Sequence, residues 1–187
     1  MIFSKQKTPG RTKIFFDEEF TGLHKNTSII SIGLVSETGS TFYAEFTDYN
    51  KSQVDSWIDK NVIANLAKTQ DKIANLADVT VIGDRRTVTQ ALDKWLRSFR
   101  PSTNGIEMWS DCLSYDWVLF NDLFGGAMEK PDYIYYIPFD ICTLMYIKGV
   151  DPDINREDFS GTLSGNKHNA LHDAKVIKKC YDKLIHM

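Results

Sequence analysis

The chain has 187 residues, of which 42% are hydrophobic and 25% charged. This length suits one domain with one core, and the composition excludes a disordered chain, so we expect a single domain over residues 1–187. The formal net charge of −3 excludes a global basic field as the means of attracting nucleic acid, so basic patches or bound cations would have to supply any such attraction.

The cysteines and the apolar runs bear on the cellular compartment. Cys112, Cys142 and Cys180 are odd in number and far apart, without C-x-x-C spacing, which disfavours a disulfide framework and a zinc site. The first residues lack the apolar stretch of a signal peptide, and no apolar run is long enough to span a membrane. We expect a cytoplasmic protein without a membrane partner.

The first part of the chain predicts strands followed by a helical region. Short apolar or β-branched runs predict strands over 13–16, 28–35 and 41–46, and a polar stretch with helical spacing predicts one or two helices within 52–76. In the third strand Phe42, Ala44 and Phe46 alternate with Thr41, Tyr43 and Glu45. We therefore expect that strand to have one buried and one solvated face.

The rest of the chain alternates between helical and strand patterns. Helices are predicted over 87–99, 115–124, 141–148 and 169–185, strands over 106–109 and 133–137, and a loop over 151–167 that contains two glycines. A strand meander followed by alternating helices and strands indicates a mixed α/β sheet flanked by helices.

Three acidic residues have positions that suit a shared site. Asp17 and Glu19 lie two residues apart at the end of the first predicted strand, so their side chains project from one face and could share a cation. Asp116 falls in the first turn of a mostly apolar helix, where the helix dipole favours a carboxylate even without further function.

The last helix opens with a histidine and an aspartate at informative spacing. His168 and Asp173 are five residues apart, and five helical residues turn through about 500°. Both can reach one site only if His168 precedes the helix and Asp173 lies on its inner face. His172 is the competing imidazole, but it is rotated by about 100° from Asp173 within the helix, so we expect it to point away.

Together these motifs resemble the DEDDh 3′-5′ exonuclease family, which contains proofreading exonuclease subunits, oligoribonuclease and RNase T. Residues 16–23, FDEEFTGL, resemble the first motif of the family, and residues 168–174, HNALHDA, resemble its third. The resemblance spans residues 13–185 and, through WSDCLSYD at 109–116, points to a subgroup of small bacterial and phage exoribonucleases. It implies an RNase H-like fold, with an antiparallel meander and parallel strands flanked by helices.

The second motif departs from the family pattern. Many members carry asparagine four residues before the aspartate, and Cys112 occupies that position here. Asp111 therefore competes with Asp116 for a metal-binding role, although Tyr115-Asp116 and the helix behind it fit the motif better.

The resemblance implies a two-metal phosphodiester hydrolase. Asp17, Glu19, Asp116 and Asp173 would hold two divalent cations, Mg²⁺ or Mn²⁺, since both ions prefer oxygen ligands. His168 would act as general base, a role that suits its unperturbed pKa of about 6.5.

The same resemblance implies a site for the substrate. The backbone around Phe20 and Thr21 would meet the 3′-terminal nucleotide, and Leu23 would pack against its base, although Phe20 and Leu23 also suit an ordinary core. Trp57 is a candidate second stacking surface. The basic side chains available for phosphate contacts are Lys25, Arg85, Arg86 and Lys167.

These features predict a metal-dependent 3′-5′ exonuclease that releases nucleoside 5′-monophosphates from single-stranded RNA or short oligonucleotides. A DNA-directed proofreading exonuclease stays open, because recognition of the 2′-hydroxyl depends on local geometry. So do a non-catalytic nucleic-acid-binding module of the same fold and an unrelated α/β domain. A homodimer is expected by analogy with oligoribonuclease and RNase T, and the compartment would be the host cytoplasm if a phage encodes the chain.

Overall fold

A computed structural model gives the structure of the chain, and it describes residues 10–67, 76–100, 104–161 and 167–187. Within these ranges no helix is both long enough and apolar enough to cross a membrane. Part of the helical region predicted over 52–76, and part of the loop predicted over 151–167, lie outside the described residues.

One mixed sheet of six strands organises the described residues, in the order β4-β3-β2-β1-β5-β6. Its strands are β1 (Thr12–Phe20), β2 (Ile29–Ser36), β3 (Thr41–Phe46), β4 (Val79–Gly83), β5 (Ile106–Ser110) and β6 (Phe139–Asp140). The β1-β2 and β2-β3 pairs are antiparallel, and the β3-β4, β1-β5 and β5-β6 pairs are parallel. The expected mixed sheet, an antiparallel meander extended by parallel strands, is confirmed.

Helices cover both faces of the sheet. They are α1 (Ser56–Asn61), α2 (Arg85–Arg97), α3 (Leu113–Leu123), α4 (Ile141–Ile147), α5 (Arg156–Ser160) and α6 (Ala170–Ile185), with short 3₁₀ turns at Lys51–Gln53 and Ile63–Asn65. Successive side chains of β1 pack on opposite faces of the sheet, because side chains alternate along a strand. Ile14 and Phe16 pack in the core beneath α2 and α3, whereas Phe15 packs in the core beneath α4, α5 and α6.

The first strand is longer than the sequence predicted. It was expected to end at Phe16, before the acidic residues, but β1 continues to Phe20. Asp17 pairs with Gly33 of β2 and Glu19 with Ser31. The carboxylates are therefore held by a continuous ladder rather than by a flexible strand end.

The prediction that β3 has a solvated face was wrong, since every residue of β3 is buried. Tyr43 and Glu45 lie on the face that was expected to meet water, and the Tyr43 hydroxyl donates a hydrogen bond of 2.8 Å to Glu45 Oε1. Tyr43 packs with Ala170 and Leu171 at the start of α6. The last helix thus covers a face whose polar alternation suggested exposure.

Three further predictions need correction. The strand expected over 133–137 contributes only an isolated bridge between Ile134 and Ile106, and the chain forms β6 two residues later. The loop expected over 151–167 contains α5, which Asn155 caps by accepting hydrogen bonds from the backbone N–H groups of Glu157 and Asp158. The sequence reading also missed β4, a half-buried strand beside β3.

Gly33 provides a test of how the sheet positions the last helix. A Cβ at Gly33 would collide with the backbone of Ala170 and Leu171, so Gly33→Ala must push the start of α6 away from β2. We expect a loss of at least about 2 kcal/mol in the free energy of unfolding, measured by urea denaturation, because overpacking against backbone cannot relax by a rotamer change. Gly10→Ala is the control, since no atom lies within 4 Å of that Cβ position. Equal stability of the two variants would contradict this account.

Candidate active site

A cavity of about 560 Å³ opens where β1, the end of β5, α5 and the start of α6 meet. Its lining includes four of the acidic residues considered above, Asp17, Glu19, Asp111 and Asp173, together with Arg156, Lys167 and His168. Residues from distant parts of the chain thus line one cavity.

Asp17 and Glu19 come from the middle and end of β1. They lie on the same face of the strand as Phe15, because side chains two residues apart share a face. Asp17 is buried and Glu19 is partly buried. Glu18 points the other way and is also buried, with neither carboxylate oxygen hydrogen-bonded among the described residues.

Asp116 lies in the first turn of α3 and its side chain is completely buried, with 0% exposure. Neither Oδ1 nor Oδ2 has a hydrogen-bond partner among the described residues. A buried carboxylate without a partner is costly. The environment of Asp116 therefore fits a carboxylate that binds a positively charged ligand.

Asp173 and His168 are placed by the start of α6. Asn169 caps the helix by accepting a hydrogen bond from the backbone N–H of His172. His168 precedes the cap with φ of 63°, a left-handed conformation that few non-glycine residues adopt. In this conformation the backbone N–H of His168 donates to Asp173 Oδ2 at 3.0 Å, which ties the histidine to the first turn of the helix.

The carboxylates form two overlapping sets. One ligand atom each from Asp17, Glu19 and Asp173 lie within 4.8 Å of one another, and the same holds for Asp17, Asp111 and Asp116. Asp17 belongs to both sets. An all-oxygen donor set suits Mg²⁺ or Mn²⁺, and the unpartnered oxygens of Asp116 support that fit. The residues present thus suit a pair of divalent cations that share Asp17.

Burial and crowding make these carboxyl groups hard to ionise. Burial, together with the charges of Asp173 and Asp116, raises the pKa of Asp17 well above its usual range. Burial and the same neighbours raise the pKa of Glu19 to about 8, and burial raises that of Asp173 to about 7. Burial also raises the pKa of Asp116 well above its usual range. Such shifts mark a functional-site candidate.

The imidazole of His168 lies beside both the carboxylates and an aromatic ring. Its Nδ1 is 4.0 Å from Glu19 Oε1, and its ring meets Trp57 edge to face with centroids 5.1 Å apart. His172 points elsewhere, and its Nε2 lies 2.8 Å from Glu157 Oε1 in a partly buried pair. Of the two imidazoles, only that of His168 lines the cavity.

The residues expected to bind substrate differ in their surroundings. Phe20 stacks on Tyr115 with centroids 5.4 Å apart. The buried Thr21 hydroxyl accepts from Ser28 N and donates to Gln53 Oε1 at 2.7 Å, so the side chain of Thr21 stabilises the turn after β1. Leu23 is 72% exposed, which shows that it is not an ordinary core residue.

A second, mainly apolar cavity of about 370 Å³ adjoins the first. Phe20, Leu23 and Trp57 line it, and Glu19 lines both cavities. Trp57 is 53% exposed. The shape and apolar character of this space suit a planar base next to the carboxylates.

Sequence reasoning missed the contribution of α5. Arg156 lines the carboxylate cavity, and its Nε lies 2.7 Å from Asp111 Oδ2. The sequence pattern that could have predicted α5 is Asn155 with acidic residues two and three positions after it, which is a typical helix start.

The basic residues named from the sequence do not all converge. Lys167 lines the cavity, but Arg85 and Arg86 line a separate pocket, and Arg85 Nη1 is paired with Asp122 Oδ2 at 2.6 Å. Lys25 does not contribute to the lining of the cavity among the described residues.

Comparison with known proteins finds relatives that are described as 3′-5′ exoribonucleases. Two 3′-5′ exoribonucleases of Mycobacterium tuberculosis, Rv2179c of strain H37Rv and MT2234.1 of strain CDC 1551, are each 27% identical to the chain over 119 residues. The aligned region covers 64% of this chain and 65% of either relative. The catalytic unit of Neurospora crassa Pan2, which contains protease and nuclease domains, is 15% identical, with a TM-score of 0.46 over 100% of this chain and 29% of that one.

The family match covers more of the chain than these relatives do. Residues 12–185 match the family described as the 3′-5′ exoribonuclease Rv2179c-like domain, and this range includes every carboxylate of the two sets. The chain therefore belongs to the Rv2179c-like family of 3′-5′ exoribonuclease domains.

Proposed function

We propose that the chain is a metal-dependent 3′-5′ exoribonuclease that removes nucleoside 5′-monophosphates from single-stranded RNA or short oligonucleotides. The observation that carries this proposal is the pair of carboxylate sets that share Asp17. Family membership supports the choice of RNA over DNA. Localisation in the cytoplasm and assembly as a homodimer stay predictions.

Asp17, Glu19, Asp116 and Asp173 would hold the two cations. Bound there, two divalent ions would activate water, neutralise the phosphate and stabilise the departing oxygen. Because these side chains are buried or partly buried, each charge would act on the cations more strongly than it does in bulk water.

His168 has the position of a general base on the attacking water. Its ring lines the cavity, and its backbone N–H is bound to Asp173, so the imidazole is anchored next to one carboxylate set. The edge contact with Trp57 limits rotation of the ring. In this arrangement His168 would take the proton of the water, and His172 would not take part.

The apolar cavity would hold the 3′-terminal base. Leu23 and Trp57 offer exposed apolar surface on its lining, and a base stacked there would place its sugar and phosphate towards Glu19. The backbone of Phe20 and Thr21 would contact the nucleotide, whereas the Thr21 side chain acts through the turn that it stabilises.

The activity itself is tested with 5′-labelled RNA and DNA oligonucleotides of one sequence, incubated with Mg²⁺, Mn²⁺ or EDTA. We expect RNA to shorten stepwise from its 3′ end with either metal and to stay intact in EDTA. Asp17→Ala and Asp173→Asn should abolish shortening, because each removes a ligand of the proposed cations. Preferential shortening of DNA would favour the proofreading alternative, and binding without shortening would favour a non-catalytic module.

The metal-free protein should lose stability as the pH rises. The pKa values of Glu19 and Asp173 are raised to about 8 and about 7, so the folded state binds more protons than the unfolded state above pH ~4. Stability is therefore full below that pH and falls as the pH passes through the raised values. Between pH 5 and pH 9 we expect thermal unfolding to show a loss of about 1 kcal/mol or more.

Two controls belong to that experiment. Asp173→Asn should flatten the pH dependence, because it removes one of the shifted groups, and Mn²⁺ should stabilise the wild type most at high pH, because it binds the ionised native site. Stability that rises with pH in EDTA would contradict the crowding of these carboxylates.

The general-base role makes its own prediction. His168→Ala should lower kcat by about 10²–10⁴-fold, while Mn²⁺ affinity measured by titration calorimetry stays close to that of the wild type. His186→Ala, in the exposed C-cap of α6, is the matched imidazole control and should retain full turnover. A His168→Ala enzyme with unchanged kcat would show that another group takes the proton.

A further inference from the structure

The two carboxylate sets contain one acid more than the four proposed ligands. Asp111 directly follows β5, and its carboxylate lies within 4.8 Å of ligand atoms of Asp17 and Asp116. Distance alone therefore does not decide whether Asp111 or Asp116 serves the cation of this set. The two aspartates differ, however, in what compensates their charge.

Asp111 is already compensated by the protein. Its Oδ2 lies 2.7 Å from the Nε of Arg156. Burial raises the pKa of Asp111, and the charge of Arg156 and the backbone N–H groups of Asp111 and Cys112 act in the opposite direction. Asp116 has no hydrogen bond of good geometry to either oxygen among the described residues, and burial raises its pKa although the Ser110 hydroxyl and the Cys112 backbone N–H act in the opposite direction. Asp111 is thus paired with a guanidinium, whereas Asp116 has no such ion pair among the described residues.

Arg156 is held firmly in place. Its Nη2 donates to Cys142 Sγ at 2.9 Å, and its carbonyl oxygen accepts from Cys180 Sγ at 3.5 Å. The next residue, Glu157, is bound to His172 of α6 at 2.8 Å. The helix α5 therefore links the end of β5 to the start of α6 and fixes the guanidinium at the wall of the cavity.

Arg156 offsets part of the charge of the carboxylates. The two sets contain five carboxylates, which carry −5 when ionised, and Arg156, 2.7 Å from Asp111, contributes +1. Removal of Arg156 would therefore add one net negative charge beside the proposed cations.

We propose that Arg156 is a positioning residue that holds Asp111 in a neutral ion pair outside the coordination of the cations, so that Asp116 is the ligand from the second motif. This inference rests on the proposed two-cation site. The proposal means that the charges of Asp111 and Arg156 cancel at the cations. Removal of both side chains together should therefore leave cation binding unchanged.

The test is titration calorimetry of Mn²⁺ into the full chain, with the wild type, Arg156→Gln, Asp111→Asn and the double variant. Arg156→Gln should bind Mn²⁺ at least about tenfold more tightly and Asp111→Asn at least about tenfold more weakly, because the loss of one unit charge within several ångströms of a divalent cation changes their electrostatic interaction even at an effective dielectric constant of about 20. The double variant should return close to the affinity of the wild type. If the two single variants change the Mn²⁺ affinity in opposite directions and the double variant restores it, the cause is charge compensation and not the loss of a ligand.

Two further variants separate charge from structure. Arg156→Lys keeps the positive charge and should keep the affinity of the wild type. Arg97→Gln is the matched control, because Arg97 Nε lies 2.7 Å from Asp93 Oδ2, the same distance as in the Arg156 pair, but on α2 outside the cavity. Arg97→Gln should change neither Mn²⁺ affinity nor activity.

Other outcomes overturn the inference in distinct ways. If the double variant binds Mn²⁺ as weakly as Asp111→Asn, then Asp111 is itself a ligand. If Arg156→Gln unfolds at lower temperature but binds Mn²⁺ as the wild type does, then Arg156 has only a structural role. If the wild type binds no Mn²⁺, the proposed function fails as well, whereas normal binding without opposite shifts contradicts only the role of Arg156.

Discussion

The mutual repulsion of crowded, largely buried carboxylates is the constraint on which the rest of this structure depends. Asp17 and Asp116 are buried, and Glu19 and Asp173 are partly buried beside them, so desolvation and like charges both oppose ionisation. The fold must stabilise an arrangement that its own electrostatics oppose when no cation is present. The elements that carry these residues are correspondingly rigid: the ladder of β1 and the first turns of two helices.

The helices α3 and α6 also favour the negative charge of the carboxylates that they carry. Asp116 and Asp173 lie in the first turns of α3 and α6, where free N–H groups and the helix dipole favour negative charge. Gly33 lets the start of α6 approach β2 directly opposite Asp17. The same close contact buries the second face of β3, so catalytic geometry and core packing have one cause.

Much of this could be predicted from the sequence, because local patterns carry it. The alternation of β3 and the single apolar stripe of α2 predicted the right elements, and the spacing of His168 and Asp173 placed the histidine before the helix. The long-range packing of α6 on β3 has no local signal. The local signal of α5 is short, because this helix is shorter than one that is stable alone and depends on its Asn155 cap and on the buried Phe159. Arg156 was missed with it.

The central claim is that the chain holds two divalent cations that share Asp17, and diffraction from crystals soaked in Mn²⁺ tests it most directly. Anomalous scattering locates manganese without reference to the protein. We expect two peaks, one contacted by Asp17, Glu19 and Asp173 at the cavity and the other by Asp17 and the buried Asp116. A single peak, or two peaks that do not both contact Asp17, would contradict it.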